Sequence, residues 1–171
     1  ICDGERAVVL QPSQDAKRLL DGDNGPNTGG MGAYSPVPFF SQAEADELTE
    51  SVIVPTLRTL KNRDIDYRGV LYCGLMITAD GPRVLEYNVR FGDPDVQPVI
   101  AVMTSDLTQL LYEAAQGKIV SAPTFSDQIS VTVVLATAQY PGTTLKGDHI
   151  TGIDKAEAVE SVHVYCACVM G

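Results

Sequence analysis

The chain lacks the marks of a membrane, secreted or nucleic-acid-binding protein. No apolar run nears the roughly 20 residues that span a bilayer, and no charged segment followed by an apolar core opens it, so no signal peptide is expected. Its four cysteines (Cys2, Cys73, Cys166, Cys168) follow no disulfide framework. The Cys166-Ala167-Cys168 pair has no two further ligands nearby and makes no zinc site. Cys73 sits among apolar residues and is expected as a small buried hydrophobe, and a reducing cytoplasm is the expected compartment. Basic residues are in the minority, 12 against 22 acidic for a net charge of −10. That balance argues against broad nucleic-acid binding and against an anionic membrane surface, but leaves room for a local pocket for a phosphorylated small molecule. No Gly-Lys-Ser/Thr follows a glycine loop, and no strand–turn–helix surrounds one, so Walker and dinucleotide fingerprints are absent. His149 and His163 have no carboxylate or nucleophile at a telling spacing. No internal repeat or low-complexity tract is present.

What is present is an ordinary globular composition. The 171 residues are 44% apolar and 20% charged, enough for one domain or two small ones. Arg6 to Leu10 reads as a short strand after an Asp3-Gly4 turn, and a polar stretch, Gln11 to Arg18, follows. Gly22 to Gly32 holds five glycines in eleven residues and reads as a loop. Ser41 to Leu60 has helical spacing, a Ser41/Glu44 capping box, and Pro55 to kink or split it. Gly69–Thr78 and Arg83–Val89 read as antiparallel strands joined by Ala79-Asp80-Gly81-Pro82. Ser105 is the expected cap of a second helix that stops at Gly117. Ala122-Pro123-Thr124 reads as a linker. Beyond it come a strand over Ile129–Thr137, a Tyr140-Pro141-Gly142 turn, a helix over Asp154–Glu160 with Asp154 and Glu157 at capping spacing, and a last strand over Val162–Val169.

Three segments could carry chemistry. In Leu85-Glu86-Tyr87-Asn88-Val89-Arg90, strand periodicity puts Glu86, Asn88 and Arg90 on one face and lets Leu85, Tyr87 and Val89 pack on the other. A carboxylate beside an amide oxygen suits a hard divalent cation, and a guanidinium suits phosphate or carboxylate. The same spacing also suits a half-exposed amphipathic strand. The run Asn24-Gly25-Pro26-Asn27-Thr28-Gly29-Gly30-Met31-Gly32 can form an anion-binding nest, or be a flexible surface loop. Lys17 and Arg18 could neutralise phosphate, or be a solvated basic pair. Asp93 is either a turn residue before Pro94 or a polar contact to substrate.

Taken in order, several stretches resemble the phosphoribosylamine–glycine ligase family, ATP-grasp enzymes of purine synthesis. They are Gln14-Asp15-Ala16-Lys17-Arg18-Leu19-Leu20-Asp21-Gly22-Asp23, Gly25 to Pro36, Tyr67-Arg68-Gly69-Val70-Leu71-Tyr72 and Leu85 to Pro94. Ser105-Asp106-Leu107, Tyr140-Pro141-Gly142 and Ile150-Thr151-Gly152 also fit, so the match runs over nearly the whole chain. The resemblance implies ligation of glycine to 5-phosphoribosylamine through a glycyl phosphate, giving glycinamide ribonucleotide, ADP and phosphate. ATP and Mg²⁺ (or Mn²⁺) are the implied cofactors. Glu86 and Asn88 match the metal ligands. Arg90 and Asp93 match the catalytic segment next to them. Lys17, Arg18, Asn27, Thr28, Gly29, Gly30 and Gly32 match substrate- or phosphate-binding positions.

The implied fold is α+β: the C-terminal lobe of an ATP-grasp domain over residues 1–122, an antiparallel sheet with flanking helices, then part of a small β-rich domain over 123–171. Some positions depart from the family. Ala16 stands where His is usual, Asp95 where Glu is usual, and Tyr165-Cys166-Ala167-Cys168-Val169 where a His-Ala-Gly-Thr pattern is usual. The resemblance implies a substrate domain and a small ATP-clamping lobe ahead of the segment given by this sequence. The chain is therefore expected to be a piece of a longer polypeptide, inactive alone, whose partners include the missing lobes and whose apolar faces are left partly exposed. Two other readings stay open: an ATP-grasp carboxylate–amine ligase for another substrate, and a non-catalytic binding module or remnant.

Overall fold

The computed structural model describes residues 1–143 and 146–169 and divides into two units, Ile1–Leu135 and Ala136–Gly171. The first unit runs β1 (Cys2–Asp3), β2 (Gln14–Asp15), β3 (Arg18–Leu20), β4 (Asn24–Asn27), β5 (Gly32–Ser35), α1 (Gln42–Leu48), α2 (Val54–Lys61), β6 (Arg68–Gly69), β7 (Tyr72–Thr78), β8 (Gly81–Asn88), α3 (Val96–Val102), α4 (Leu107–Gln116) and β9 (Ser130–Val133). Among the described residues the strands make four small antiparallel sheets rather than the single sheet expected: β1 with β6, β3 with β4, β7 with β8, and β2-β5-β9 with β5 central.

Two local expectations change here. Arg6–Leu10 is not a strand. Asp3 Oδ1 accepts from the Glu5 and Arg6 amides, which folds the chain back on itself. Only Ala7 then bridges Cys2, with Val8 N–H donating to Ile1 O. The glycine-rich stretch is not a plain loop either. Gly22 and Asp23, both at positive φ (66° and 58°), turn β3 into β4, and Gly32 already belongs to β5.

The helices follow their caps. Ser41 and Glu44 form the capping box of α1. Pro55 does not break the helix, which stays helical from 42 to 61. The proline cannot donate to the ladder, and a π-helical turn over Thr49–Ile53 lies between α1 and α2, with Val54 N–H reaching back to Thr49 O. The Thr49, Ser51 and Thr56 hydroxyls bond to carbonyls in the preceding turn. Helix α4 is capped by Asp106, not Ser105: the Asp106 carboxylate accepts from the Thr108 and Gln109 amides, while Ser105 Oγ accepts from Thr124 N. Gly117 ends α4 in the left-handed conformation at φ 80°. Helix α3 has no counterpart in the sequence reading. Its Val-Gln-Pro-Val-Ile-Ala-Val run shows no helical period, and Pro98 is tolerated because the first-turn amides of a helix have no intrahelical partner.

Two apolar clusters hold the unit together. Ile1, Leu110, Ala114 and Ile119 are buried with Val8, Leu10 and Leu107 against them, which fixes α4. Cys2, Ile53 and Leu57 are buried with Leu60, Leu71 and Cys73 against them, which fixes α2 beside the start of β7. Cys73 is half-buried, and burial pushes its thiol up to about 11. Asp3, also buried, ties the clusters by accepting from Ile119 N at 2.9 Å.

The second unit holds a turn at Tyr140–Pro141 and α5 (Ile153–Glu157), which starts after Gly152 (φ 84°) rather than at an Asp154 cap. Its described residues contain no strand, so the strand expected over Val162–Val169 is not formed. An alternating segment needs a partner edge to become a strand, and none is described in this unit. The β content expected after Ala122 is β9, which pairs with β5 in the first unit. No helix among the described residues is long and apolar enough to cross a membrane.

Candidate functional site

The β7–β8 hairpin sets the site. Its two-residue turn, Ala79-Asp80, pairs Thr78 with Gly81, and the ladder then runs regularly to Leu75 opposite Val84. Leu85 is an extra residue, a bulge that shifts the register so that Glu86 faces Gly74 and Asn88 faces Tyr72. Gly74 is needed there, because a Cβ would lie 3.0 Å from Glu86 Cγ. Asn88 Nδ2 donates to Glu86 Oε1 at 3.2 Å, which places both side chains on one face. The strand ends at Asn88, so Arg90 is not a strand residue. It follows a bend and donates to Phe91 O at 2.8 Å.

Leu85, Tyr87 and Val89 do not pack as expected. They are 63%, 41% and 77% exposed. Tyr87 alone gains a polar contact there, its hydroxyl lying 3.1 Å from Thr56 Oγ1.

A cleft of about 30 Å³ gathers Glu86, Asn88, Arg90 and Asp93 with Lys17 and Gly29. Lys17 enters from the chain between β2 and β3, and Gly29 from the turn after β4. Tyr72, Gly92 and Asp95 complete the wall; the sequence reading gave none of them a role. Counting the hairpin register would have brought in Tyr72 only with the bulge included.

Lys17 Nζ lies 2.6 Å from Asp15 Oδ2. Burial pulls the Lys17 ammonium down. The Asp15 hydrogen bond and the charges of Asp15, Asp95 and Glu86 outweigh it and raise it above the usual lysine value. Asp95 is 6% exposed, and its Oδ1 accepts from the Tyr72 hydroxyl at 3.2 Å. Burial, then the Asp15 charge, raises the Asp95 carboxyl. Burial, then Asp95, holds the Tyr72 phenol far above its usual value. Asp93 Oδ1 accepts from Gln97 Nε2 at 3.0 Å, a bond one turn along α3.

Five expected site residues do not line this cleft, and each has a structural task. Arg18 donates to Gly25 O at 2.7 Å across the β3–β4 hairpin, where Asn27 pairs with Arg18. Thr28 Oγ1 donates to Lys17 O at 2.9 Å and accepts from Gly30 N at 3.0 Å. Gly30 sits at φ +135°, and a Cβ there would overlap Pro94 Cδ. On Gly32 a Cβ would lie 2.5 Å from the Thr132 carbonyl of β9. These glycines let backbone and proline approach, which carries Gly29 to the cleft wall.

The donor set fits a hard divalent ion. Glu86 and Asn88 offer adjacent side-chain oxygens, and Mg²⁺ commonly takes one or two protein oxygens and completes its shell with phosphate and water. Three carboxylates in the cleft (Glu86, Asp93, Asp95) outnumber its two cations (Lys17, Arg90), a surplus that a divalent ion would offset before an anionic phosphate arrived. Among the described residues no three His, Cys, Asp or Glu side chains gather into a metal cage.

Residues 1–96 match the model of the family described as "Phosphoribosylglycinamide synthetase, ATP-grasp (A) domain". The match and the cleft together set the class, a mixed α and β protein of the ATP-grasp type. A Streptomyces coelicolor phosphoribosylamine–glycine ligase is 48% identical over 167 residues, 96% of this chain and 40% of that protein. The chicken trifunctional purine biosynthetic protein adenosine-3 is 47% identical over 157 residues, 91% of this chain and 16% of that protein. The crystal structure of phosphoribosylamine–glycine ligase from Thermotoga maritima superposes with a TM-score of 0.74 at 35% identity, over 82% of this chain and 35% of that one. The chain belongs to the phosphoribosylglycinamide synthetase family, and it spans about 40% of the length of the bacterial ligases it matches.

Proposed function

We propose that this chain supplies the metal- and phosphate-binding floor of a ligase that joins glycine to 5-phosphoribosylamine at the expense of ATP. The observation that carries the reading is the cleft itself: Glu86 and Asn88 side by side, with Lys17 and Arg90 beside them. The names of its relatives supply the substrates. In this reading the γ-phosphoryl of ATP passes to a glycine carboxylate oxygen as ADP leaves. The amine of phosphoribosylamine then attacks the acyl carbon, and phosphate departs as glycinamide ribonucleotide forms.

Phosphoryl transfer asks a protein chiefly for positioning and charge neutralisation. Glu86 and Asn88 would hold Mg²⁺ or Mn²⁺, which would supply positive charge to offset that of the phosphates. Arg90 and Lys17 present cations to the transferred phosphoryl or the acyl phosphate. Asp93, held by Gln97, is available to the incoming amine. The part covered here is read as the C-terminal lobe of the ATP-grasp domain, residues 1–122. Residues 123–171 are read as the start of the following domain, with the nucleotide clamp supplied by the rest of the polypeptide. All four cysteines are free, which fits a reducing cytoplasm.

Calorimetric titration of Mg·ATP into the chain and into Glu86→Ala tests the reading. Binding by the first and loss in the second supports it. Equal binding by both removes Glu86 from the site and the reading with it.

A further inference from the structure

Asp95 occupies the N-cap position of α3, yet its carboxylate makes no capping hydrogen bond. A buried aspartate there usually caps, so its side chain is committed elsewhere. It is turned to the cleft wall, where the Tyr72 hydroxyl donates to Oδ1. Room is made by Gly92: a Cβ on that residue would lie 2.6 Å from Asp95 Oδ2. Tyr72 comes from β7, Gly92 and Asp95 from the turn into α3, so two elements converge on one carboxylate. Of the two cations lining the cleft, Lys17 is already paired with Asp15, while Arg90 donates to Phe91 O.

We propose that Asp95 is a positioning residue that, with Asp15, fixes the Lys17 ammonium at the cleft. An ammonium on a flexible four-carbon stem loses rotamer entropy when it is held, and a single carboxylate leaves it able to swing. A second carboxylate in the same cleft adds to the pull of Asp15 and confines the ammonium further. Burial of Asp95 keeps water from screening the attraction, and the Tyr72 hydrogen bond keeps the carboxylate from turning away. The pull of Asp95 on Lys17 also contributes to the raised ammonium of that lysine. The inference rests on the ligase reading for what Lys17 serves, an incoming phosphate or acyl phosphate. The positioning stands or falls separately.

The test is the order of the Lys17 side chain by NMR, read from its ammonium nitrogen signal in the ¹⁵N-labelled chain at neutral pH and low temperature. The wild-type chain is expected to show a restrained Lys17 signal, unlike an exposed lysine such as Lys155. Asp95→Asn keeps the shape and the acceptor for Tyr72 but removes the charge, and the restraint should be lost. Asp95→Glu restores the charge and should restore the restraint. Should Asp95→Asn fail to fold, Tyr72→Phe decides, with a partial loss expected. An unchanged Lys17 signal in Asp95→Asn, or in Tyr72→Phe when that variant must decide, overturns the proposal. Mg·ATP binding is measured on the same samples. Lack of binding by the wild-type chain would count against the ligase site, while the Lys17 signal would still judge Asp95.

Discussion

Gly30→Ala should be among the most damaging single-methyl changes in the first unit. Gly30 sits at φ +135°, a region L-residues rarely enter, and forcing a side chain there costs about 1–3 kcal/mol. The new methyl would also lie 3.3 Å from Pro94 Cγ, nearer still to Cδ, and 3.5 Å from Asp93 O. Pro94 is fully buried and cannot step aside, so overpacking adds about 1–3 kcal/mol. Alanine returns about 0.4–1 kcal/mol by restricting the unfolded chain. The net loss is about 3 kcal/mol, a large share of the 5–15 kcal/mol that holds a domain. Gly69→Ala is the matched control, because Gly69 has φ +120° and nothing within 4 Å of its Cβ position. It should lose only the backbone part, about 1 kcal/mol. Urea unfolding followed by circular dichroism reads both. With a slope near 1.5 kcal/mol per molar, the Gly30→Ala midpoint should fall below that of Gly69→Ala by about 1 M or more. Equal midpoints for the two variants would refute the claim that the glycine turn is packed on Pro94.

Acid should act on Glu113 in α4. Its carboxylate accepts from Gln109 Nε2, the Val120 and Ser121 amides and Ser121 Oγ, and these bonds pull it down to about 2. Because the folded value lies below the unfolded one, the stabilisation is complete above about 4.3 and is lost as pH falls towards 2. Melting temperatures of wild type and Glu113→Gln should therefore converge over that window, and a constant gap between them would contradict the assignment. The bare apolar faces should make the isolated chain self-associate. Leu85 and Val89 are exposed on β8, as are Val131 and Val133 on β9 and Leu135 just beyond it, the last at 93%. Sedimentation should show weight growing with concentration and falling back in Val131→Lys/Val133→Lys. A clean monomer at high concentration would count against it.

Much of the fold was legible where one residue type has one physical use. Ser41 with Glu44, and Gly117, marked a helix start and a helix stop because their groups satisfy terminal amides and the left-handed cap. The Asp80-Gly81 turn marked the hairpin. Legibility failed where a neighbour decided the outcome. Ser105 and Asp106 are both good caps, and the cross-bond from Thr124 to Ser105 leaves the cap to Asp106. Pro55 could bend or split a helix, and a π-helical turn is one of several ways to absorb it. Helix α3 has no period to read. At the site, alternation placed Glu86 and Asn88 together, but the Leu85 bulge, and with it the place of Tyr72, depends on cross-strand packing that no local pattern encodes. Gly30 and Gly32, expected at a phosphate site, also pack closely on Pro94 and the Thr132 carbonyl, contacts distant in sequence that no local pattern encodes.

The central claim is that Glu86 and Asn88 form a divalent-ion site that Lys17 and Arg90 complete for phosphate. Line broadening of the ¹⁵N-labelled chain by substoichiometric Mn²⁺ with ATP tests it most directly. Amides of Glu86, Asn88, Arg90, Gly29 and Lys17 should broaden first, and Glu86→Ala should abolish the effect. Broadening centred elsewhere, on the Asp21–Asp23 turn for example, or unchanged in Glu86→Ala, would contradict the account.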